Sequence, residues 1–184
     1  MADITGTFLL GPGSGRVIVK TGRAGLAARA GHDLTIEITD WSARVTIPDD
    51  GVTAAQVTAE LDLGSLAVRE GTGGAKPLTD KDRKDIANTA RKILGQPAAS
   101  FTSTQVVPAG GSGGAIEGTL SLNGRSQPVR LQVTSPAQGR YRGGTTVRQT
   151  DFGITPYTGF FGALKLRDEI GIEFETDLDR AARE

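Results

Sequence analysis

The stretch from Ile116 to Thr134 constrains this chain most. Two alternating runs, Ile116 to Leu122 and Arg125 to Thr134, flank the dipeptide Asn123-Gly124. Asn-Gly between such runs is the strongest short hairpin signal, because a type I′ turn needs positive φ at both central residues. A two-residue loop pairs Leu122 with Arg125, Leu120 with Gln127, Gly118 with Val129 and Ile116 with Leu131. That set is mostly apolar and shares one face, while Glu117, Thr119, Ser121, Arg130 and Gln132 share the other. Pro128 falls opposite Thr119 in a pair that exchanges no hydrogen bonds. Its missing N–H therefore faces the next strand or an edge. The core is predicted to be an antiparallel sheet with one apolar face.

The rest of the chain extends that sheet. Thr5 to Leu10 and Arg16 to Thr21 are β-prone runs around the turn cluster Gly11 to Gly15. Gly22 to Gly31 is a Gly/Ala/Arg connector with no clear periodicity. His32 to Ile38 alternates, with His32, Leu34, Ile36 and Ile38 on one face. Trp41, Ala43, Val45 and Ile47 alternate likewise, so a tight turn at Thr39-Asp40 is predicted between two strands. Val57, Ala59 and Leu61 form another inner face. Gly71 to Pro77 reads as a loop. Thr79 with Asp82 reads as a capping box, followed by Ile86, Ala87, Ala90, Ile93 and Leu94 at helical spacing and a stop at Gly95. After Pro97, Ala99, Phe101, Ser103, Gln105 and Val107 share a face. Tyr141 to Thr150 is a further strand, and Asp168 to Leu178 the most regular of all. Eight or nine strands and one helix, without βαβ alternation, predict an up-and-down barrel or a sandwich in a single domain over residues 1–184. Parity lines the interior with Trp41, Val45, Phe101, Leu120, Leu131, Val147, Ile172 and Phe174.

Composition excludes several functions. Lys and Arg number 21 and Asp and Glu 21, so no basic excess is available for nucleic acid. The chain has no cysteine, one histidine and one methionine, too few soft or imidazole ligands for copper, haem or structural zinc. Glycine, at 26 of 184 residues, is twice its usual share of about 7% and marks many turns. The Phe8-Leu9-Leu10 run is too short for a signal peptide, and no run approaches a membrane span. These features predict a cytoplasmic protein without a membrane span, as a monomer or a homodimer.

Catalytic motifs are thin. Gly110 to Gly114 fits G-x-S-x-G, but a nucleophile elbow leads from strand to helix and here a strand follows, so Ser112 is set aside. Gly71 to Lys76 lacks Walker A spacing and the Ser/Thr after the lysine. His32 is inward by parity. It is either a buried histidine satisfied by a backbone group or a polar contact for a ligand head group. Ser103, Gln105 and Gln149 are predicted inward as well, as orienting groups in an apolar pocket or as partners of buried water. The stretch Phe152 to Leu164 holds four of the nine aromatics. Pro156 predicts a short helix start there, with Tyr157, Phe160, Phe161 and Leu164 as a stripe. This piece is either a core plug or a lid that touches an apolar ligand.

Several stretches resemble the YceI-like family: Gly31-His32-Asp33-Leu34-Thr35, Ser65-Leu66 with Arg69 to Leu78, Phe101-Thr102-Ser103, Gly118 to Gly124, and Gln149 to Ile154. The resemblance implies an extended eight-stranded antiparallel barrel, lipocalin-like, with one helix around an apolar channel. It implies a carrier for an isoprenoid-like or acyl-chain amphiphile. No catalytic residues and no cofactor come with it. The expected ligand contacts are His32, Trp41, Val45, Phe101, Ser103, Gln149, Phe152, Tyr157, Phe160 and Phe161. Two rivals stand beside the carrier: an enzyme that folds or cyclises a substrate by cavity shape, and an interaction module with a filled barrel.

Overall fold

The computed structural model describes residues 4–95 and 98–184, with Phe160 described by its backbone alone. The elements are β1 (Gly6–Leu10), β2 (Gly15–Thr21), β3 (Arg23–Ala24), β4 (His32–Ile47), β5 (Gln56–Gly73), α1 (Asp80–Leu94), β6 (Ala98–Ala109), β7 (Gly113–Leu122), β8 (Arg125–Ala137), β9 (Arg140–Arg148), β10 (Thr158–Gly159), β11 (Leu164–Leu166), β12 (Glu169–Asp177) and β13 (Ala182–Arg183). Strands pair in the order β4-β2-β12-β9-β8-β7-β6-β5, and β5 pairs back onto β4. This closes an eight-stranded antiparallel barrel, which removes the unpaired edges an open sheet would present. The second half of β4 also carries β1, and β1 in turn carries β13.

The β7–β8 hairpin has the predicted register, from Leu122 opposite Arg125 to Ile116 opposite Leu131. Asn123 and Gly124 take φ of 53° and 71°, as a type I′ turn demands. Pro128 lies opposite Thr119. On its other side β8 pairs with β9 only from Gln132 onward, so the absent N–H interrupts no ladder. Into that gap folds the helical turn Gln149–Phe152, tied by Asn123 Nδ2 to the Phe152 carbonyl at 3.1 Å and Gln127 Nε2 to the Asp151 carbonyl at 3.0 Å.

Helix α1 fills the matching gap between β5 and β6, which pair only from Thr58 to Asp62 on the β5 side. Thr79 accepts from the Asp82 N–H at 3.1 Å, and the Asp82 carboxylate accepts from the Thr79 N–H at 2.9 Å. The capping box is thus formed, and it satisfies two N–H groups that have no intrahelical partner. Gly95, at φ 64°, ends the helix. Arg91 donates to the Gly64 and Leu66 carbonyls at 2.8 and 2.9 Å, occupying acceptors that β6 does not reach. Ile86, Ala87, Ala90 and Leu94 pack against the core.

Four expectations are corrected. Thr39-Asp40 is no turn: β4 runs on through it, with a register shift between Ile38 and Asp40. A bulge and a two-residue hairpin both put Ile38 and Trp41 on one face, so alternation does not separate them. The opposing strand decides. Ser65 Oγ accepts from the N–H groups of Thr39 and Asp40 at 3.1 and 2.9 Å, which holds the bulge open. Second, β5 continues through Gly73, shortening the loop expected from Gly71 to Pro77. Third, β6 shifts register between Ser103 and Gln105. Gln105 is consequently exposed, and Ser103 Oγ accepts the Val57 N–H at 2.8 Å, prolonging the β5–β6 ladder by one bond and taking Ser103 off the interior. Fourth, Pro156 starts no helix. Residues 154–157 form no regular element, between helical turns at Gln149–Phe152 and Phe160–Gly162.

Candidate functional site: an apolar channel through the barrel

The inward faces do not interdigitate. They enclose a cavity of about 900 Å³, near the upper end of the roughly 300–1,000 Å³ usual for small-molecule sites. All eight residues predicted from parity, Trp41, Val45, Phe101, Leu120, Leu131, Val147, Ile172 and Phe174, line it. The interior is therefore unfilled, which removes the filled-barrel alternative.

The cavity is elongated. β4 lines it from His32 to Ile47, and at about 3.3 Å per residue with a barrel tilt near 40° this is roughly 35–40 Å along the axis. One glycine makes room for the Phe101 ring: a Cβ on Gly118 would sit 2.5 Å from Phe101 Cζ, so only glycine lets that ring lie against β7.

Apart from Thr145, opposite Ile172, polar lining groups gather at the ends. Registers place Thr21, His32 and Gln149 at the end shared with α1, and Ser112, Ser135, Tyr141 and Thr176 at the other. Burial raises the Tyr141 hydroxyl above its ordinary pKa. At the α1 end His32 Nε2 lies 2.7 Å from the Lys76 carbonyl. A carbonyl only accepts, so Nε2 carries a proton there. The ring borders the cavity and is satisfied by a backbone group at once. Its other face leaves no space for a Cβ on Gly74, and Arg23 leaves none on Gly73. Gly73 and Gly74 have φ of 78° and 71°. The glycines from Gly71 onward thus seat these two side chains.

Arg23, in the connector without clear periodicity, lines the same end. It donates to the Gly31 carbonyl, and its Nε stands 3.7 Å from Asp33. Gln149 also borders the cavity and donates from Nε2 to the Arg167 carbonyl at 2.9 Å. Asp168 steadies the adjoining turn. Its carboxyl is held below the usual range by the Thr150 hydroxyl, then by the Thr150 N–H, with Arg148 adding charge. On the outer wall, burial pushes Glu37 up, but hydrogen bonds from Arg69 and Arg16 outweigh it and leave the carboxyl below its ordinary value.

The structure gathers His32, Trp41, Val45, Phe101, Gln149, Phe152 and Tyr157 around one cavity. Phe152 is also 1% exposed, so it plugs the wall while it faces the channel. Ser103 lies off the lining, as described. Phe161 points fully into solvent and does not line the cavity. The side chain of Phe160 lies outside the described residues. Leu164, from the expected stripe, lines the cavity, and so do Arg23, Ile154 and Leu166, which were not expected there. The alternation Leu164-Lys165-Leu166 was the legible signal for Leu166.

A closed eight-stranded barrel around a long apolar channel defines a class of protein that encloses one elongated apolar molecule's worth of space. Within that class the chain belongs to the YceI-like family, since the model of the YceI-like domain matches residues 19–178. UPF0312 proteins of Pseudomonas savastanoi pv. phaseolicola and of Pseudomonas syringae pv. syringae are each 27% identical over 124 residues, 62% of this chain and 60% of theirs. The chain thus spans less than two thirds of the length of these curated relatives. BcnA of Burkholderia cenocepacia superposes with a TM-score of 0.64 at 18% identity, covering 88% of this chain and 94% of BcnA. The Campylobacter jejuni YCEI protein superposes at 0.56 with 15% identity, covering 81% and 84%. At such identities these two similarities establish the fold. Among the described residues, no helix is long and apolar enough to cross a membrane.

Proposed function

We propose that this protein is a carrier that holds one long apolar chain, isoprenoid-like or acyl, inside the barrel, with its polar head at the α1 end. The observation that carries the reading is the 900 Å³ elongated cavity, apolar along its length and polar at its ends. Each buried methylene contributes about 0.8 kcal/mol, so a long chain needs few polar contacts to be held. Arg23, His32, Gln149 and Tyr157 supply those contacts. The absence of cysteine supports a reducing compartment, the cytoplasm.

Mass spectrometry of an organic extract of the purified protein tests this. A long-chain amphiphile is expected from the parent and its loss from Ala43→Trp, which fills the channel beside Leu10 and Ala59. Empty extracts, together with no response of Trp41 fluorescence to farnesol or a long-chain fatty acid, would overturn it. Conversion of an added isoprenoid into a cyclised product would replace the carrier with the enzyme reading.

A further inference from the structure

Two large apolar side chains stand wholly in water: Leu26 is 100% exposed and Phe161 113%. They sit on neighbouring turns. Leu26 follows β3 and Phe161 precedes β11; β11 pairs with β3, and the Ala27 N–H meets the Ala163 carbonyl at 3.0 Å. Phe161 is also held at φ 55°, ψ 34°, a left-handed conformation that costs a bulky L-residue energy and persists only where the surroundings impose it. A strained backbone thus presents an aromatic ring outward, where none of the described residues covers it.

Charge around these turns is one-signed. From Thr21 to His32 the charged residues are Arg23 and Arg29; from Phe152 to Arg167 they are Lys165 and Arg167. Four cations and no carboxylate border the two turns, in a chain whose totals are 21 against 21. Of the acids that flank these windows, Asp33 is engaged with Arg23 and Asp168 with Arg148, while Asp151 is exposed beside the Gln149–Phe152 turn. The same small sheet borders the channel through Tyr157, Leu164 and Leu166.

We propose that this tip docks on an anionic lipid bilayer, with Leu26 and Phe161 inserted among the lipids and Arg29, Lys165 and Arg167 at the headgroups. Apolar anchors with a basic fringe match that surface. A second copy of the chain fits less well: two side chains offer on the order of 300–400 Å², against about 800 Å² per partner in a stable interface. Docking sets the α1 end of the channel against the bilayer; its use in loading cargo rests on the carrier reading, whereas docking itself does not.

The test is co-sedimentation of the full chain with vesicles of phosphatidylglycerol and phosphatidylcholine in equal parts, and with pure phosphatidylcholine. The parent is expected to pellet with the anionic vesicles, less so as salt rises. Leu26→Ser and Phe161→Ser should each lower the partition coefficient about tenfold, and Arg29→Gln with Lys165→Gln several-fold. Phe161→Gly suits the left-handed backbone, so it should melt higher than the parent while binding vesicles as weakly as Phe161→Ser. A parent that stays in the supernatant with both vesicles, or variants that pellet like the parent, would overturn the proposal. So would light scattering in which the parent is a dimer and Leu26→Ser or Phe161→Ser a monomer. Farnesol titration without vesicles separates the two readings: loss of that response with intact pelleting removes the carrier alone, and the converse removes docking alone.

Discussion

Gly118→Ala probes how the channel is kept open. The new Cβ would stand 2.5 Å from Phe101 Cζ, 2.6 Å from Cε2 and 2.5 Å from the Thr102 carbonyl oxygen, where real contacts begin above 3.0 Å. Overpacking of this kind costs about 1–3 kcal/mol. The smaller entropy of an unfolded chain with Ala returns about 0.4–1 kcal/mol. A net loss of about 1–2 kcal/mol follows, or roughly 2–8 °C in melting temperature for a chain of this size. The ring has one direction to yield, into the lumen, so retained apolar cargo should fall as well. Thermal and urea melts followed by Trp41 fluorescence measure the stability, and extract mass spectrometry the cargo. In a Phe101→Leu background the ring atoms that clash are gone and only the Thr102 carbonyl remains, so Gly118→Ala should cost at least ~0.5 kcal/mol less there. Equal costs in the two backgrounds would refute the idea that glycine at this position serves the Phe101 ring.

Thr79→Ala removes the hydroxyl half of the capping box and should cost about 1 kcal/mol in denaturant melts; an unchanged midpoint would dismiss the cap as a source of stability. Asp82 is held below its ordinary pKa by the Thr79 N–H and then its hydroxyl, and Asp168 by the Thr150 hydroxyl and then its N–H. A depressed carboxyl contributes stability that is complete above its unfolded pKa, near 3.8 here, and is lost as pH falls through the folded value. The melting temperature should therefore fall as the solution is acidified below about pH 5, and Asp82→Asn with Asp168→Asn should make that fall shallower. Phe152→Ala should cost ~3–5 kcal/mol, since the residue is 1% exposed, whereas Phe161→Ala should leave stability near the parent's; melts of the two variants compare them directly.

The elements that were legible in the sequence are those whose signals are local. The β7–β8 register, the type I′ turn, the α1 cap and stop, and the inward faces of β9 and β12 each follow from short-range spacing. The period of two sends alternate residues inward whatever the rest of the chain does. Asn123-Gly124 and the Thr79–Asp82 pair satisfy their own backbones within a few residues. These local rules were enough to name eight residues that line the cavity and the apolar character of the interior.

Where the reading failed, a distant partner decided. A parity change between Ile38 and Trp41 is compatible with a hairpin or a bulge, and Ser65 on the opposing strand selects the bulge. Ser103 leaves the interior because Val57, 46 residues away, lacks a ladder partner. Arg23 and His32 meet the channel end only because Gly73, the last residue of β5, and Gly74 after it leave room for them. Leu26 and Phe161 became neighbours through the β3–β11 pairing, with more than a hundred residues between them along the chain. Local spacing determined the strands, the helix and the polarity of each face, because those depend on backbone geometry within a few residues. Barrel closure, the channel's polar end and the apolar tip were decided by tertiary structure, because they depend on which backbone groups and side chains remain unpaired once remote strands have met.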